Sequence, residues 1–553
     1  MELQFLTPTE VWEGFIPSQM NLETSIISAE TANNLVCSKQ YFTADESAQG
    51  RIRAFMEIYY DARWSDKRAA VLLLSHYHRN NTGEIVRELV NEGYAVGVLD
   101  YCGAGGEEKT AFPADLSYAV YPDCKNHLDT VETNARNTPW FVWSKIARRA
   151  LCVLEQQNIV DAAHIGVIGF GIGAEIAWQV TGMDSRVKAL VAIDGGGYRW
   201  AKGNPRFTVA NVLRTDEERA YSTGVGAETY AKFVKCPVLY IASRTSHMTD
   251  IDRAGDILSL VQSDCKQLLY TTASETQLTT TAAETLLGWL RAHFVMSGNE
   301  TFTPSAEFVN ADGKLYLRMH TVHKAQKIEV FACYGEELSA ARHWTEIKNP
   351  QKVDTHVYTI NVPVFDLNEY IIAYATFTYE NGNAISLPTM CVLPKKMGIT
   401  SFDPIRESYR IMYEGNMGIG SFASLTDDAI LPDGTVLQAE GPFEIKGITA
   451  TKGGLYFCRS AAEMKALDRT ISLHFDVYSP TERELCINMY TFPEMKRFTA
   501  YATLDGGEFW QKLLLHSADF KSDEGKTLAN FNDTKILVIN DVAGIILNNF
   551  LWI

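Results

Sequence analysis

The chain has 553 residues and a formal net charge of −17, and 46% of its residues are hydrophobic. The acidic excess repels nucleic acid and anionic membrane surfaces, so we expect neither as a partner. No apolar run approaches the ~18 residues of a membrane-spanning helix, and the opening MELQFLTPTEVWEGF lacks the basic and apolar segments of a secretory signal. We therefore expect a cytoplasmic protein whose candidate partners are a carbohydrate, another small molecule or further copies in a homo-oligomer.

The ten cysteines are scattered along the chain, and none forms a C-x-x-C pair. Such spacing indicates neither a zinc site nor a disulfide framework. Several lie within apolar segments, as do Cys236, Cys333, Cys391 and Cys486. Buried free thiols in a reducing compartment account for this pattern, and we expect no metal ion or cofactor.

The first half of the chain alternates predicted strands with predicted helices. Residues 51–62 alternate like a half-exposed strand, whereas 69–78 form a continuous apolar run of the buried type. Further strands are predicted at 94–103, 164–170, 187–197, 236–246 and 266–272, and helices at 80–93, 139–157, 173–182 and 281–294. This order predicts an α/β fold with a doubly wound, mostly parallel sheet covered by helices on both faces.

The pattern changes near residue 301, where alternating segments replace the helices. KLYLRMHTV, KIEVFACYG, THVYTINVPV and EYIIAYATFTYENGNAISLP predict the strands of a small, immunoglobulin-like β-sandwich. Later segments, among them RTISLHFDVYSP and IILNNFLWI, predict a jelly-roll-like sandwich. The predicted domains are an α/β domain with an N-terminal extension over 1–298, a β-sandwich over 299–395 and a jelly-roll-like domain over 396–553.

One predicted strand–turn–helix carries the sequence Gly169-Phe170-Gly171-Ile172-Gly173. In the nucleophile elbow G-x-S-x-G, the central serine sits on a sharp turn between a strand and a helix and attacks the substrate. Gly171 takes the place of that serine. Because glycine has no side chain, Gly171 cannot act as a nucleophile.

Residues of about 40–295 resemble the α/β-hydrolases, specifically the dienelactone hydrolase and acetyl xylan esterase branch. The resemblance rests on LLLSHYH for a strand and the oxyanion loop, GYAVGVLDYCGAGG for the next strand and turn, HIGVIGFGIGAEIAWQV for the elbow, CPVLYIASRTSHMTDIDRA for the strand before the acid, and LLYTTASETQLTTTAAETLLGWL for the histidine segment. It implies an α/β-hydrolase fold over nearly half of the chain.

The same resemblance locates the three positions of a catalytic triad, and none is filled. Gly171 stands at the nucleophile position and Ser246 at the acid position, and residues 271–285, where the histidine is expected, contain no histidine. His293 falls within the last predicted helix of this region. These vacancies predict a catalytically degenerate hydrolase that binds a carbohydrate or another small ligand, or that acts as a scaffold.

The alternative is an active carbohydrate esterase with a relocated site. His76 and His78 lie on the oxyanion loop and His247 lies beside the acid position, so the three are candidate acid–base or metal-binding side chains. Cys102, at the end of a predicted strand, is a candidate thiol nucleophile or a small buried hydrophobic residue. Asp100 and Asp194 are candidate carboxylate partners for these histidines across the pocket, and Asp250 and Asp252 are candidate substitutes for the missing acid, of which Asp252 is expected to begin a helix.

Five residues around the elbow are candidate ligand contacts. Tyr198 and Trp200 directly follow the C-terminal end of a predicted strand, where pockets form in open α/β sheets. Tyr77 on the oxyanion loop and Phe170 and Ile172 in the elbow complete the predicted pocket.

A weaker alternative is dinucleotide binding. Gly169, Gly171 and Ala174 satisfy G-x-G-x-x-G/A, and Asp194 ends the next predicted strand near the position of a ribose-binding acid. However, that fingerprint normally follows the first strand of its sheet, and several predicted strands precede it here.

The end of the chain has a second resemblance. TLDGGEFWQKLLLHSADFKSDEGKTLANF and ILNNFLWI resemble the end of jelly-roll carbohydrate-binding modules. The resemblance implies sugar stacking on aromatic side chains of a concave face, for which Tyr490, Phe492, Tyr501 and Trp510 are the candidates. Alternating aromatic residues in strands also occur as core residues, and both interpretations stay open.

Overall fold

A computed structural model describes most of the chain. The described residues are 3–77, 83–129, 131–201, 204–209, 214–244, 250–271, 278–295, 303–335, 337, 339, 342, 344–401, 411–415, 422–425, 435–457, 471–491, 496–531 and 534–553.

The first region mixes helices and strands. Its helices are α1 (Pro8–Val11), α2 (Gly83–Asn91), α3 (Pro139–Glu155), α4 (Ile172–Met183), α5 (Asp216–Gly224), α6 (Ala227–Ala231), α7 (Ala254–Leu260) and α8 (Thr280–Leu290). Its strands are β1 (Ser25–Ala32), β2 (Leu35–Ser47), β3 (Gly50–Asp61), β4 (Arg68–Leu74), β5 (Ala95–Asp100), β6 (Val160–Phe170), β7 (Val187–Ile193), β8 (Val238–Ser243) and β9 (Lys266–Thr271).

These strands form one 9-stranded sheet in the order β1-β2-β3-β5-β4-β6-β7-β8-β9. The strands from β5 to β9 pair in parallel, and β1, β2 and β3 extend the sheet with antiparallel pairing. β5 and β8 are buried at every residue, as strands covered on both faces must be. The predicted α/β fold is confirmed, and together with the elbow described below it is α/β-hydrolase-like.

Helices cover both faces of this sheet and create two apolar cores. Trp140, Trp143 and Trp178, from α3 and α4, are fully buried in one core. Trp289 of α8 and Leu89 of α2 are buried in the other. None of the helices within the described ranges is long and apolar enough to cross a membrane.

The second region is a pair of antiparallel sheets. Its strands are β10 (Ser305–Ala311), β11 (Lys314–His320), β12 (Lys327–Tyr334), β13 (Thr345–Ile347), β14 (Gln351–Asp354), β15 (Val357–Asn361), β16 (Ile371–Thr378), β17 (Ala384–Ser386) and β18 (Met390–Val392). One sheet has the order β10-β11-β15-β14 and the other the order β13-β12-β16-β17, with β18 also paired to β16. Buried side chains from both sheets share one core, which is the arrangement of a β-sandwich.

The third region is also all-β. Its strands are β19 (Ile411–Tyr413), β20 (Ala423–Leu425), β21 (Val436–Glu440), β22 (Lys446–Ala450), β23 (Gly454–Phe457), β24 (Leu473–Tyr478), β25 (Arg483–Thr491), β26 (Arg497–Leu504), β27 (Trp510–Leu515), β28 (Thr534–Ile539) and β29 (Ile546–Trp552). The sheet orders are β21-β22-β29-β24-β27, with β19 also paired to β29, and β20-β23-β28-β25-β26. The immunoglobulin-like and jelly-roll-like assignments and the exact domain boundaries stay predictions.

The first β-sandwich packs against the edge strand β9. The backbone N–H of Tyr270 donates to Ser386 Oγ at 2.8 Å, and the ring of Tyr270 lies 4.8 Å from that of Tyr374. Arg342 of the sandwich forms a bidentate ion pair with Asp252, with Nη2 2.6 Å from Oδ2. Both side chains are buried, at 0% and 1% exposure. Asp252, one of the two carboxylates that follow the predicted acid position, therefore joins the two regions.

Candidate functional site

The elbow turn is present, with Gly171 at its tip. Gly171 lies between β6 and α4 with φ 51° and ψ −114°, a backbone conformation that residues with a side chain rarely adopt. A Cβ on Gly173 would lie 2.1 Å from the carbonyl oxygen of Leu74. Helix α4 can approach β4 this closely only because residue 173 is a glycine. The backbone geometry of an elbow is thus built without the nucleophile.

The backbone N–H that follows the elbow tip already has an acceptor. In α/β-hydrolases, the N–H of the residue after the nucleophile forms part of the oxyanion hole. Here that group belongs to Ile172, and it donates to His76 Nδ1 at 3.2 Å. A neutral imidazole that accepts at Nδ1 carries its proton on Nε2. The N–H that would bind an oxyanion in an α/β-hydrolase is therefore already bonded to His76, and the Nδ1 lone pair of His76 is engaged.

The loops that would carry the acid and the histidine lie partly outside the described residues. Ser246 and His247 lie outside the described residues, as does His78. The sequence predicts that Asp252 begins a helix; it is the middle residue of the 3-10 helix Ile251–Arg253, which precedes α7, and it binds Arg342. Asp250 accepts hydrogen bonds from the Asp252 backbone and from Arg253 Nε. Burial, with the neighbouring charge of Asp252, raises the pKa of Asp250 to about 6.

His293 lies at the opposite end of the sheet from the elbow. Its ring packs 5.5 Å from that of Trp289, and the next residue, Phe294, stacks on Tyr94, which directly precedes β5. In a parallel sheet, that position is the N-terminal edge, whereas Gly171 lies at the C-terminal edge. His293 therefore cannot serve a site at the elbow.

The loop after β7 lies directly against the elbow and is held by two buried glutamates. Glu175, on the first turn of α4, accepts the Gly197 N–H at 2.9 Å. Glu228, at the start of α6, accepts the Tyr198 N–H and the Trp200 Nε1–H, both at 2.9 Å. Burial raises the pKa of Glu175 to about 7 and also raises the pKa of Glu228.

Three of the twelve non-glycine residues with positive φ in the described part of the chain lie at this edge of the sheet. Tyr77, Asp194 and Tyr198 have φ of 51°, 50° and 57°. Each such non-glycine position costs about 1–3 kcal/mol, and positions of this kind tend to cluster at ligand and active sites. The clustering marks the C-terminal edge of β4, β6 and β7 as the candidate site.

The remaining predicted contacts are placed in different surroundings. Phe170 is 5% exposed and Ile172 is fully buried, and they pack into the two opposite cores. Tyr77 is 6% exposed, with its ring 5.3 Å from that of Tyr121. Tyr198 and Trp200 remain partly exposed, with ring centroids 6.2 Å apart.

Two other candidate groups have structural roles. The Asp100 carboxylate accepts the backbone N–H groups of Gly103 and Thr110, each at 2.9 Å, and so shapes the turn after β5. Cys102 is fully buried, and burial raises the pKa of its thiol, which disfavours the reactive thiolate. Within the described residues, no group of three or more His, Cys, Asp or Glu side chains is placed to hold a metal ion.

The four aromatic candidates of the C-terminal region do not share one sheet. Tyr490 lies on β25 and Tyr501, 63% exposed, on the adjacent β26. Trp510 lies on β27 in the other sheet, where its Nε1–H donates to the Pro442 carbonyl at 3.0 Å. Phe492 lies outside the described residues. Sugar binding by this region stays a prediction.

Sequence reasoning did not identify Glu175, Glu228 or Arg214 as site residues. The one available indication was Glu175, an acidic residue on the first turn of the elbow helix. Acidic residues are favoured at that position in any helix, so the indication was weak. Glu228 and Arg214 lie beyond the next strand, and only the folded chain brings them to Trp200.

Comparison with known proteins gives structural neighbours only. No family model and no curated protein matches the chain. Acetyl xylan esterase 1 from Thermoanaerobacterium sp. is 14% identical, with a TM-score of 0.38 over 51% of this chain and 89% of its own. A glucuronoyl esterase from Solibacter usitatus is 12% identical, with a TM-score of 0.36 over 49% and 86%. An acetyl xylan esterase from Paenibacillus sp. is 14% identical, with a TM-score of 0.39 over 50% and 90%.

Proposed function

We propose that this chain is a catalytically degenerate α/β-hydrolase-like protein that binds a carbohydrate or another small molecule without hydrolysing it. The observation that carries the proposal is the state of the elbow. Gly171 offers no nucleophile, and the adjacent Ile172 N–H donates to His76 instead of facing an open oxyanion hole. Both changes act on the same catalytic step, because a nucleophile and an oxyanion donor serve one tetrahedral intermediate.

The loop after β7 supports a binding role for the same edge of the sheet. Tyr198 and Trp200 present partly exposed rings there, and aromatic faces suit sugar rings and other apolar surfaces. Glu228 holds both residues through a backbone and a side-chain hydrogen bond. A preorganised aromatic loop lowers the entropy that ordering would otherwise cost on binding.

Two other functions are less well supported. A relocated esterase site would need a free imidazole base, and His76 Nδ1 is engaged by Ile172. A dinucleotide would need room for its pyrophosphate at the glycine turn, and there a Cβ on Gly195 would lie 2.3 Å from the Gly171 carbonyl oxygen. The turn is packed against the neighbouring loop, and we do not propose either function.

The proposal is tested by turnover and by covalent labelling. We expect the purified chain to hydrolyse p-nitrophenyl acetate and acetylated xylan no faster than a heat-inactivated sample, and to remain unlabelled by a fluorophosphonate probe. An ordinary serine esterase in the same assays is the positive control. Turnover above background that is lost in His247→Ala would overturn the proposal and support the relocated site.

A further inference from the structure

The guanidinium of Arg214 lies over the Trp200 indole. Its Cζ is 3.3 Å from the ring centroid, and the side chain is partly buried. A stacked guanidinium keeps its N–H donors in its own plane, where they point away from the ring. Nη1 donates to Ser222 Oγ at 3.3 Å, which uses a small part of this donor capacity.

Arg214 differs from the arginines around it in having no carboxylate partner within the described residues. The neighbouring arginines each bind one: Arg199 binds Asp129 at 2.7 Å, Arg206 binds Asp256 at 2.6 Å and Arg253 binds Asp250 at 3.1 Å. Partial burial of a guanidinium without a counter-ion is unfavourable. Accordingly, burial lowers the pKa of Arg214.

The nearby acid, Glu228, is already used. Its Oε2 accepts the Tyr198 N–H and its Oε1 accepts the Trp200 Nε1–H. Both bonds fix the loop on which Trp200 lies, so Glu228 orients the ring against which Arg214 stacks. The guanidinium is thereby held against the ring, and within the described residues Ser222 Oγ is the one hydrogen-bond acceptor of its N–H groups.

We propose that Arg214, together with the Trp200 and Tyr198 rings, binds a small molecule that carries a carboxylate on a ring. The carboxylate would pair with the N–H edge of the guanidinium, which matches it as a planar fork. The ring of the ligand would lie beside Tyr198, whose own ring is 6.2 Å from that of Trp200. This inference rests on the proposed function, because it names the ligand class of the same sheet edge.

Calorimetric titration of the full chain with charged and uncharged pairs tests the ligand class. D-glucuronate is compared with D-glucose, and benzoate with benzamide. We expect at least one carboxylate to bind saturably and its uncharged counterpart to bind about tenfold or more weakly, a ratio that corresponds to about 1.4 kcal/mol. Equal binding of charged and uncharged partners, or binding of neither carboxylate, overturns the proposal.

Variants of Arg214 test the residue. Arg214→Gln is expected to weaken carboxylate binding about tenfold or more, and Arg214→Lys to weaken it less because the charge remains while the planar fork is lost. Arg219→Gln, which removes an exposed arginine paired to Asp216 on the same helix, is the matched control and is expected to bind like the unmodified protein. Unchanged binding in a folded Arg214→Gln protein overturns the proposal. If Arg214→Gln fails to fold, unchanged binding in the Arg214→Lys protein overturns it instead.

The failure of this inference can be told apart from failure of the proposed function. Each preparation is also assayed with p-nitrophenyl acetate. Absence of carboxylate binding together with absence of turnover removes the Arg214 site and leaves the degenerate-hydrolase proposal in place. Turnover above background removes that proposal, whatever the titrations show.

Discussion

The buried carboxyl group of Glu175 makes the stability of the elbow region depend on pH. Glu175 is 4% exposed, and its Oε1 accepts the Gly197 N–H at 2.9 Å. Burial raises its pKa from 4.5 to about 7, against the positive charge of Arg199 and with the help of the negative charges of Glu228 and Asp129. Near neutral pH, a substantial share of the folded protein therefore holds a proton at this site that the unfolded chain has released.

The sign and size of the effect follow from the two pKa values. Because the folded pKa lies above the unfolded one, the stabilisation is complete below pH 4.5 and is lost as the pH rises through about 7. Each unit of pKa difference corresponds to about 1.36 kcal/mol, so the loss at pH 8 has an upper limit of about 3 kcal/mol. Glu175→Gln keeps an oxygen acceptor for Gly197 and cannot ionise. We expect it to be about 1–3 kcal/mol more stable than the unmodified protein at pH 8 and nearly equal at pH 4.

Urea unfolding followed by fluorescence at pH 4, 6 and 8 measures the difference between the two proteins. Using the difference cancels the titration of other groups that the proteins share. Glu217→Gln, which changes an exposed residue on α5, is the control for the loss of a surface carboxylate. A Glu175→Gln protein that is less stable than the unmodified one at pH 8, or whose difference is constant from pH 4 to 8, would refute the reasoning.

Three further substitutions test the elbow and the contact between the first two regions. Gly171→Ser should lower the free energy of unfolding by about 1–3 kcal/mol because of the backbone conformation at this position. It should hydrolyse p-nitrophenyl acetate no faster than Gly171→Ala does, since a serine without a neighbouring base is a weak nucleophile. Faster hydrolysis by Gly171→Ser would contradict this. Gly173→Ala should unfold at a clearly lower temperature because its Cβ would lie 2.1 Å from the Leu74 carbonyl oxygen, and an unchanged melting temperature would show that α4 can move. Arg342→Met leaves Asp252 buried without its partner, and it should lower the free energy of unfolding in urea by about 3–5 kcal/mol. The double variant with Arg342→Met and Asp252→Leu should recover much of that loss. A double variant as unstable as the single one would argue against the ion pair.

The parallel sheet was predictable because its strands are buried on both faces. Such strands appear in sequence as short apolar runs, and the order of runs and helices then determines the fold class. The hairpin of β1 and β2 escaped prediction for the opposite reason. Seven of the eight residues of β1 are exposed, so SIISAETA carries no alternation that one buried face would impose. Its pairing with β2 depends on backbone hydrogen bonds and on the turn between the strands.

The sequence places Tyr198 and Trp200 at the sheet edge but does not give the contacts of the candidate site. Tyr198 and Trp200 were placed at the sheet edge because they follow a buried strand, and parallel strands end at the same edge. Phe170 and Ile172 stand equally close to the elbow in sequence, yet they pack into opposite cores. Sequence does not reveal which side of the edge is filled, because that depends on distant elements such as helix α6, whose Glu228 binds the loop that carries Trp200.

The shape of the elbow turn depends on packing and on backbone conformation, and neither requires a nucleophile. Gly173 is required by the approach of α4 to β4, a packing constraint that holds whatever residue occupies the tip. The tip itself has φ 51° and ψ −114°, which strains any residue with a Cβ. A glycine at the tip avoids that strain, and it offers no nucleophilic side chain. The Ile172 N–H donates to His76 Nδ1, so this backbone donor is satisfied within the chain. The sharp turn therefore persists for reasons of packing and hydrogen bonding, and its presence in a sequence predicts a fold and not a reaction.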